Sequence, residues 1–271
     1  DWHSLTTHPH PGDVTANVRK ILSEYLACGI DPEKAAIYVQ SDVKEVLELY
    51  LYLNMNAYLG ELQRVTSFKE KARKQPENVN AGLLTYPTLM AADILIHRAD
   101  KVPVGKDQEQ NMEMARKFAR RFNTIYGVEF FPEPQSYSFG GDAIKVPGLD
   151  GSGKMGKSEG NAIYLIDDAA TIRKKVMKAV TDSGPTQPNS EKPEAIANLF
   201  TMLKIVSSAD TYDYFNEKYN ACEIRYGDLK KQLAEDIVNF TSPIRERILA
   251  YAADTEYMDK VAREGAEKAR A

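Results

Sequence analysis

Cysteine, histidine and long apolar runs are all scarce in this chain of 271 residues. Its only cysteines are Cys28 and Cys222, too few for a disulfide framework or a cysteine-based zinc site, and this scarcity is typical of the reducing cytoplasm. Three of the four histidines lie in the first ten residues, but the prolines between them place no pair on one helix face, so we predict no metal site. No apolar run reaches the roughly 18 residues of a membrane-spanning helix, and we expect no membrane partner.

An excess of basic charge is also missing. The formal net charge is −4, which excludes the uniformly basic composition of small nucleic-acid-binding proteins, so any nucleic acid would have to bind a local basic patch. With 43% hydrophobic and 27% charged residues, the composition is that of an ordinary globular protein. The length predicts one large domain or two ordinary ones.

The periodicity of the N-terminal half predicts alternating helices and strands. Asp13 begins a helix that Gly29 ends, and residues 36–39 are predicted to be a short buried strand. Helix, glycine turn and strand form half of a βαβ unit, which favours an α/β fold with a parallel sheet. Further helices are predicted over 42–54, over 57–71, from Pro87 onward and from Asp107 to about Asn123, and further strands over 101–104 and 163–166. Asp167 or Asp168 is predicted to cap another helix, which continues through Val180.

A change of pattern near residue 182 predicts a domain boundary. Residues 181–193 contain three prolines and one glycine and are predicted to be a linker. After the linker, helical periodicity continues over about 194–207, 209–219, 227–240 and 242–267. We therefore predict an α/β domain over residues 1–182 and an all-α helical domain over residues 183–271.

Residues 151–158 (Gly-Ser-Gly-Lys-Met-Gly-Lys-Ser) form a glycine-rich segment in which Lys154 and Lys157 are three positions apart. A flexible backbone with two ammonium groups suits a polyphosphate whose negative charge grows during a reaction. The segment is not a Walker A motif, because Lys157 and Ser158 do not open the helix that this motif requires. An ordinary exposed basic loop is the alternative.

The carboxylate of Asp93 lies in an apolar stretch of the sequence, residues 90–95. On a helix that starts at Pro87, Met90 and Asp93 share one face, and Tyr86 lies at its mouth. A carboxylate buried among apolar side chains is costly without a partner. Asp93 is therefore either exposed to solvent or paired with a specific donor, and a ligand with an N–H group would be such a donor.

Residues 102–108 (Val-Pro-Val-Gly-Lys-Asp-Gln) are predicted to be a strand that ends at Gly105 directly before a helix. Ligands bind at this carboxyl edge of parallel sheets. Gly105 lets the backbone approach a ligand closely, and Asp107 can accept hydrogen bonds from hydroxyl groups. A glycine turn followed by an aspartate helix cap is the alternative.

Taken in order, the segments of this chain closely resemble the tryptophanyl-tRNA synthetase family of class I aminoacyl-tRNA synthetases, almost from end to end. Each segment is weakly specific by itself, whereas the ordered set is highly specific. The segments are 1–7 (Asp-Trp-His-Ser-Leu-Thr-Thr), 60–62 (Gly-Glu-Leu), 67–71 (Ser-Phe-Lys-Glu-Lys), 86–93, 102–108, 154–158 and 179–183 (Ala-Val-Thr-Asp-Ser).

The resemblance implies a Rossmann-type catalytic domain, a helical anticodon-binding domain and a homodimer. It also implies a two-step reaction: the carboxylate of L-tryptophan attacks the α-phosphate of ATP to give tryptophanyl-adenylate and pyrophosphate, and the acyl group then passes to tRNA(Trp). Mg²⁺ would accompany the ATP phosphates rather than a dedicated set of protein ligands. The basic candidates for tRNA contact are Arg173, Lys174, Lys175, Arg245 and Arg247, for which solvated helix faces are an equally good explanation.

The resemblance further implies an amino-acid pocket. Asp93 would accept the indole N–H, which turns the costly carboxylate into a specificity device. Met90 would pack on the indole ring. Tyr86 and Gln108 would hold the backbone end of the amino acid, and His3 would line the same pocket.

For ATP, the resemblance implies a second set of residues. Gly105, Lys106 and Asp107 would lie along the nucleotide, with Val146 near the adenine. Three lysines would stabilise the charge on pyrophosphate: Lys71, Lys154 and Lys157. The ATP-binding loop would consist of Lys154, Met155, Gly156, Lys157 and Ser158.

Two features depart from the family pattern. The family loop has serine where this chain has Gly156; the change removes a hydroxyl group and adds flexibility, but both lysines remain, so we expect function to survive. The family's ATP-binding His-x-Gly-His motif is not found, and we expect the chain to begin inside a domain. The missing motif leaves a non-catalytic fragment or paralogue as one alternative. A tyrosyl-type synthetase, with the same fold and chemistry, is the other.

Overall fold

The computed structural model describes residues 1–105, 108–137, 145–156 and 159–271. Within these ranges the chain is mainly helical, with one small parallel sheet. In the same ranges, no helix combines the length and the apolarity that crossing a bilayer requires. The α-helices are α1 Pro11–Ala27, α2 Glu45–Met55, α3 Leu59–Leu62, α4 Thr66–Lys74, α5 Ala81–Leu95, α6 Glu109–Tyr126, α7 Ala169–Met177, α8 Glu194–Val206, α9 Ala209–Asn220, α10 Tyr226–Ala253 and α11 Thr255–Arg270.

The sheet has two short strands, β1 Lys101–Pro103 and β2 Gln135–Tyr137, which pair in parallel with Lys101 opposite Gln135. Strand β1 confirms the strand predicted over 101–104. In the described ranges there are also 3-10 helices at Trp2–Thr7, Gln40–Asp42 and Pro76–Asn78.

Packing divides the chain into two compact units. The first unit comprises Asp1–Leu22, Ile30–Asp142 and Thr255–Ala271, and the second comprises Ser23–Gly29 and Ala143–Asp254. The predicted boundary between an α/β domain over residues 1–182 and an all-α domain over residues 183–271 stays a prediction.

Helix α5 forms the centre of the first unit, where it packs against α2, α4 and α6. Most residues of α5 are apolar, and they lie on all sides of the helix, which is the pattern of a buried helix. Its fully buried residues include Leu83, Ala91, Ala92 and Leu95. The helix therefore has a fixed position, and its few polar side chains are held in place.

The second unit is built around the packing of α10 on α7 and α8. Each of these helices directs an apolar stripe inward, with Val176 of α7, Leu203 of α8 and Leu233 of α10 almost fully buried. Asp168 caps α7 as predicted, because its side chain accepts a hydrogen bond from the N–H of Thr171 at 2.7 Å. This unit carries the described part of the glycine-rich segment.

The start of α5 differs from the prediction. The helix begins at Ala81 rather than near Pro87, because the side chain of Asn80 accepts a hydrogen bond from the N–H of Leu83 at 2.9 Å and caps the helix. Pro87 lies inside the helix, where it removes one backbone donor. The extra turns place Tyr86 within the helix rather than ahead of it.

Two predicted strands are wrong. Residues 36–39 have no strand partner in the described ranges; instead α11 packs closely here, and a Cβ on Gly265 would lie in contact with the carbonyl oxygen of Ile37. Residues 163–166 lead into a turn, because the Asp167 carboxylate accepts the N–H of Tyr164 at 2.9 Å. Apolar runs of four residues do not distinguish strands from other buried segments.

Some predicted helix bounds also need correction. The helix predicted over 57–71 is divided into α3 and α4, and those over 227–240 and 242–267 become the long α10, which continues through Pro243, and α11. Asp107 lies outside the described residues. The side chain of Gln110, in the first turn of α6, accepts the N–H of Thr66 at 2.9 Å.

Candidate amino-acid and nucleotide sites

Asp93 is the centre of a hydrogen-bonded cluster in the first unit. Its Oδ2 lies 2.8 Å from Nε2 of His3, and Nε2 of Gln40 donates to both Oδ1 and Oδ2, at 2.8 and 2.9 Å. The side chains of His3 and Asp93 are 24% and 31% exposed. The carboxylate is therefore half-buried and already has donors from the protein.

A network at the N-terminal 3-10 helix orients these donors. The Oε1 of Gln40 accepts the N–H of Trp2 at 3.1 Å, which fixes the amide so that its NH₂ group faces Asp93. The carboxylate of Asp1 accepts the N–H groups of Trp2 and Ser41, at 3.0 and 3.2 Å. The same residues thus hold His3 and Gln40 on one side of α5.

The capping residue of α5 joins this helix to the same network. Nδ2 of Asn80 donates to the carbonyl oxygen of Thr6 at 2.9 Å, while its Oδ1 caps α5. The 3-10 helix that carries His3 is therefore fastened to the start of the helix that carries Asp93. The hydrogen bond from Asn80 to Thr6 thus connects two segments that lie far apart in the sequence.

Tyr86 and Lys71 extend the cluster. The ring centroid of Tyr86 lies 4.3 Å from that of His3, and Nζ of Lys71 lies 3.7 Å above the Tyr86 ring. Burial raises the pKa of Tyr86, and the negative charge of Asp93 raises it further, so the phenol is neutral at neutral pH. Burial lowers the pKa of the Lys71 ammonium. The ring of Tyr86 thus lies between a carboxylate cluster and a cation.

His3 retains unused hydrogen-bonding capacity. Because its Nε2 faces the Asp93 carboxylate, which only accepts, Nε2 carries a proton. Nδ1 is buried and has no hydrogen-bond partner in the described part of the chain. Buried polar atoms are almost always paired, and an unpaired one beside Tyr86 and Asp93 is typical of a site that receives a ligand.

The other two residues predicted for the amino-acid pocket lie on neighbouring parts of the first unit. Met90 is partly buried and packs against the apolar core around α5. Gln108 is the N-terminal cap residue of α6, and its Oε1 accepts a hydrogen bond from Asn111 at 2.9 Å. The structure thus brings His3, Tyr86, Asp93 and Lys71 together.

The residues predicted for ATP are divided between the two units. Gly105 lies between β1 and α6 in the first unit, and its carbonyl oxygen accepts the N–H of Gln108 at 3.0 Å. In the second unit, the carbonyl oxygen of Val146 accepts the N–H of Met155 at 2.9 Å. Met155 packs against the core of that unit, while Lys154 is exposed. Lys106, Asp107, Lys157 and Ser158 lie outside the described residues.

Most of the basic side chains suggested for tRNA contact have partners within the second unit. Both oxygens of Glu235 accept from Arg173, at 2.6 and 2.8 Å, and Lys175 pairs with Asp167 at 2.6 Å. The guanidinium groups of Arg245 and Arg247 donate to backbone carbonyls, at 3.0 and 2.8 Å. These contacts favour a structural role for the four side chains.

Gln40 is a site residue that was not predicted from the sequence. It follows residues 36–39 directly, and a polar side chain after an apolar run was the only signal for it.

Across the part of the chain that the structure describes, no group of three or more histidine, cysteine, aspartate or glutamate side chains could hold a metal ion.

The chain belongs to the tRNA synthetases class I (W and Y), whose family model matches residues 1–242. It is 79% identical over 270 residues to the tryptophan–tRNA ligase of Porphyromonas gingivalis, and the match covers 100% of this chain and 83% of that protein. It is 41% identical over 273 residues to the tryptophan–tRNA ligase of Listeria monocytogenes, covering 99% of this chain and 81% of that protein.

A solved structure gives the same result for the fold. This chain is similar to the crystal structure of tryptophanyl-tRNA synthetase from Campylobacter jejuni complexed with ADP and tryptophan. The TM-score is 0.87, the sequence identity is 34%, and the match covers 99% of this chain and 82% of that chain. These similarities confirm the predicted family. They do not favour the tyrosyl-type or non-catalytic alternatives.

Proposed function

We propose that this protein is a tryptophan–tRNA ligase, which activates L-tryptophan with ATP and transfers it to tRNA(Trp). The observation that carries the proposal is the half-buried Asp93 carboxylate with its donors His3 and Gln40, in a chain 79% identical to a tryptophan–tRNA ligase. The carboxylate of the amino acid attacks the α-phosphorus of ATP, and the bond to pyrophosphate breaks. A hydroxyl group of the terminal ribose of the tRNA then attacks the acyl carbon of the adenylate, and AMP leaves.

In this proposal Asp93 selects tryptophan by accepting its indole N–H. A site built to pair an N–H rejects analogues that lack it, because its buried acceptor is then left unpaired. Met90 packs on the indole ring, while His3, Tyr86 and Gln108 hold the remaining polar groups of the amino acid. The contacts of His3 with both Tyr86 and Asp93 support a common pocket for these side chains.

We propose that ATP lies along Gly105, Lys106 and Asp107, with Val146 near the adenine. Lys71, Lys154 and Lys157 stabilise the charge that develops on pyrophosphate, and the loop of residues 154–158 supplies backbone groups for the phosphates. Mg²⁺ enters with the ATP phosphates as part of the substrate. Because the nucleophile is the substrate's own carboxylate, the protein contributes mainly positioning and electrostatic stabilisation.

We also propose that the catalytic part has the Rossmann-type architecture of class I synthetases, over residues 1–182, followed by an anticodon-binding helical part over residues 183–271. The parallel pairing of β1 and β2, with Gly105 after β1, supports this architecture. The protein would act in the cytoplasm, where tRNA is charged for translation.

A homodimer is the proposed assembly, and an apolar stripe on α2 and α3 supports it. The stripe consists of large exposed apolar side chains at helical spacing, of which Met55 is 77% exposed. Its members are Leu47, Leu51, Tyr52, Met55, Tyr58 and Leu59. A second copy of the same stripe would cover these side chains.

Amino-acid-dependent exchange of pyrophosphate into ATP by the full-length protein tests the proposed reaction. Exchange should depend on tryptophan, and tyrosine should support little or none. Exchange with tyrosine but not with tryptophan would contradict the proposal, as would the absence of exchange with either amino acid.

A further inference from the structure

The described part of the glycine-rich segment is fastened by hydrogen bonds rather than loose. We call residues 146–156 the lysine loop, because it carries Lys154. The N–H of Gly148 donates to the carbonyl oxygen of Ser152 at 2.9 Å, and the N–H of Met155 donates to Val146 at 2.9 Å. These two hydrogen bonds connect opposite sides of the lysine loop, so its backbone is held in place although it contains several glycines.

The side-chain amide of Asn161 is the hub of this loop. Its Nδ2 donates to the carbonyl oxygen of Lys154 at 3.1 Å, and its Oδ1 accepts the N–H of Gly156 at 2.9 Å. One amide thus pairs with backbone groups on both sides of Met155, whose side chain packs against the core of the second unit. Because Asn161 is only 5% exposed, water competes little for these bonds.

Neighbouring groups hold the amide of Asn161 in this orientation. Nδ2 also lies 2.9 Å from Oδ1 of Asp150 and 3.0 Å from Oγ of Ser152. Hydrogen bonds from Ser152 and Asn161 lower the pKa of Asp150, so this carboxyl is an ionised acceptor. A Cβ on Gly148 would lie 2.4 Å from Oδ1 of Asp150, so only glycine leaves room for the arrangement.

A second amide connects the middle of the lysine loop to α8. Nδ2 of Asn198, which is 9% exposed, donates to the carbonyl oxygens of Gly151 and Ser152, both at 3.0 Å. Gly151 has a left-handed φ of +85°, and its Cβ position lies 3.2 Å from Cβ of Ala195. Helix α8 thus approaches the loop closely enough to determine its path.

We propose that Asn161 and Asn198 are positioning residues that preorganise Lys154 for the step in which the adenylate forms and pyrophosphate leaves. The inference rests on the proposed function, in which the Lys154 ammonium stabilises charge on pyrophosphate. A loop with several glycines loses much conformational entropy when it places a side chain. The two amides have already fixed the backbone on both sides of Lys154, so that cost is not incurred during turnover.

The test is a double-mutant cycle on the full-length protein, measured by tryptophan-dependent pyrophosphate exchange. Asn161→Ala should lower kcat about tenfold to a hundredfold, as expected for a misplaced charge-stabilising group, and leave KM for tryptophan unchanged. In a Lys154→Ala background, the same substitution should have almost no further effect, because the two residues act through one group.

Asn216→Ala is the matched control. Asn216 accepts a hydrogen bond from Lys192 at 2.8 Å within the same unit, so its removal costs a similar contact away from the loop and should leave kcat unchanged. If Asn161→Ala does not fold, judged by a large loss of Tm, the same cycle with Asn198→Ala replaces it.

The outcomes separate the two proposals. No exchange by the wild-type protein would overturn the proposed function itself. An active wild type with Asn161→Ala equal to Asn216→Ala would overturn the positioning role. So would equal losses from Asn161→Ala with and without Lys154, since that result would indicate only general damage to the fold.

Discussion

The side-chain amide of Gln40 donates to both carboxylate oxygens of Asp93, at 2.8 Å to Oδ1 and 2.9 Å to Oδ2. His3 adds a second contact to Oδ2 at 2.8 Å. Each carboxylate oxygen has two lone pairs and can accept two hydrogen bonds. Oδ2 already has two partners, His3 and Gln40, whereas Oδ1 has one, Gln40. In the proposed amino-acid site, Oδ1 is therefore the oxygen that has more capacity to accept an N–H group, and the amide of Gln40 is its hydrogen-bond donor.

Replacing Gln40 by glutamate should weaken the use of tryptophan. The substitution replaces the donor with a carboxylate that repels Asp93, so we expect KM for tryptophan in pyrophosphate exchange to rise about tenfold or more, with KM for ATP unchanged. Gln232→Glu is the control, because Gln232 also donates to an aspartate, Asp236 at 2.9 Å, but on an exposed face of α10. Equal KM values for tryptophan in both variants would refute the role of Gln40.

Asp93→Ala tests the specificity device itself. The loss of a charged acceptor should reduce kcat/KM for tryptophan about tenfold to a hundredfold, and ATP binding should change much less. Calorimetry with each ligand separates the two effects. A similar loss of affinity for both ligands would show that Asp93 supports the fold of the pocket rather than recognition of the indole group.

Lys71 should give the reaction an alkaline limit below that of an ordinary lysine. Burial lowers the pKa of its ammonium, and only the protonated form stabilises pyrophosphate, so kcat/KM for ATP should fall as pH rises through that lowered pKa. The profile of kcat/KM reports the free enzyme. Lys71→Arg should move this limit to higher pH, because arginine stays protonated.

The exposed neighbour Lys69 supplies the control for that profile. Lys69→Arg should leave the alkaline limit where it is in the wild type. An unchanged limit in Lys71→Arg would indicate that another group titrates in this range.

Gly265→Ala should destabilise the protein. The added Cβ would collide with the carbonyl oxygen of Ile37, a backbone atom that cannot rotate away, so we expect a loss of about 1–3 kcal/mol in the free energy of unfolding. Gly227→Ala, also in a helix but with nothing near its Cβ position, should be neutral or stabilising by up to about 1 kcal/mol. Urea titration followed by circular dichroism measures both, and equal stabilities would contradict the close packing of α11.

Leu51→Glu should disrupt the proposed homodimer. A charge at the centre of the apolar stripe on α2 would be buried without a partner in the dimer, so we expect a monomer by analytical ultracentrifugation. Leu249→Glu, at a comparably exposed apolar position on α10, should leave the mass unchanged. If neither variant, or both, changed the mass, the stripe would not be the interface.

Features that depend on neighbours in the sequence were predictable from the sequence. The Asp168 cap of α7 was confirmed because a helix cap is a local pattern, whereas only one of the three short strands predicted, over residues 101–104, was confirmed. The ordered segments around Tyr86, Gly105 and Lys154 gave the family, which the similarity to tryptophan–tRNA ligases confirmed. The roles of those residues stay predictions.

The tertiary structure alone decided which groups satisfy Asp93 and the lysine loop. Gln40 lies 53 residues from Asp93 in the sequence, and Asn198 lies on a helix remote from Gly151 in the sequence, so no local spacing predicts either pair. The start of α5 at Ala81 was missed for a related reason: Asn80 caps the helix while also binding Thr6. Buried polar groups take whichever partner the packing brings within reach, and packing depends on the whole chain.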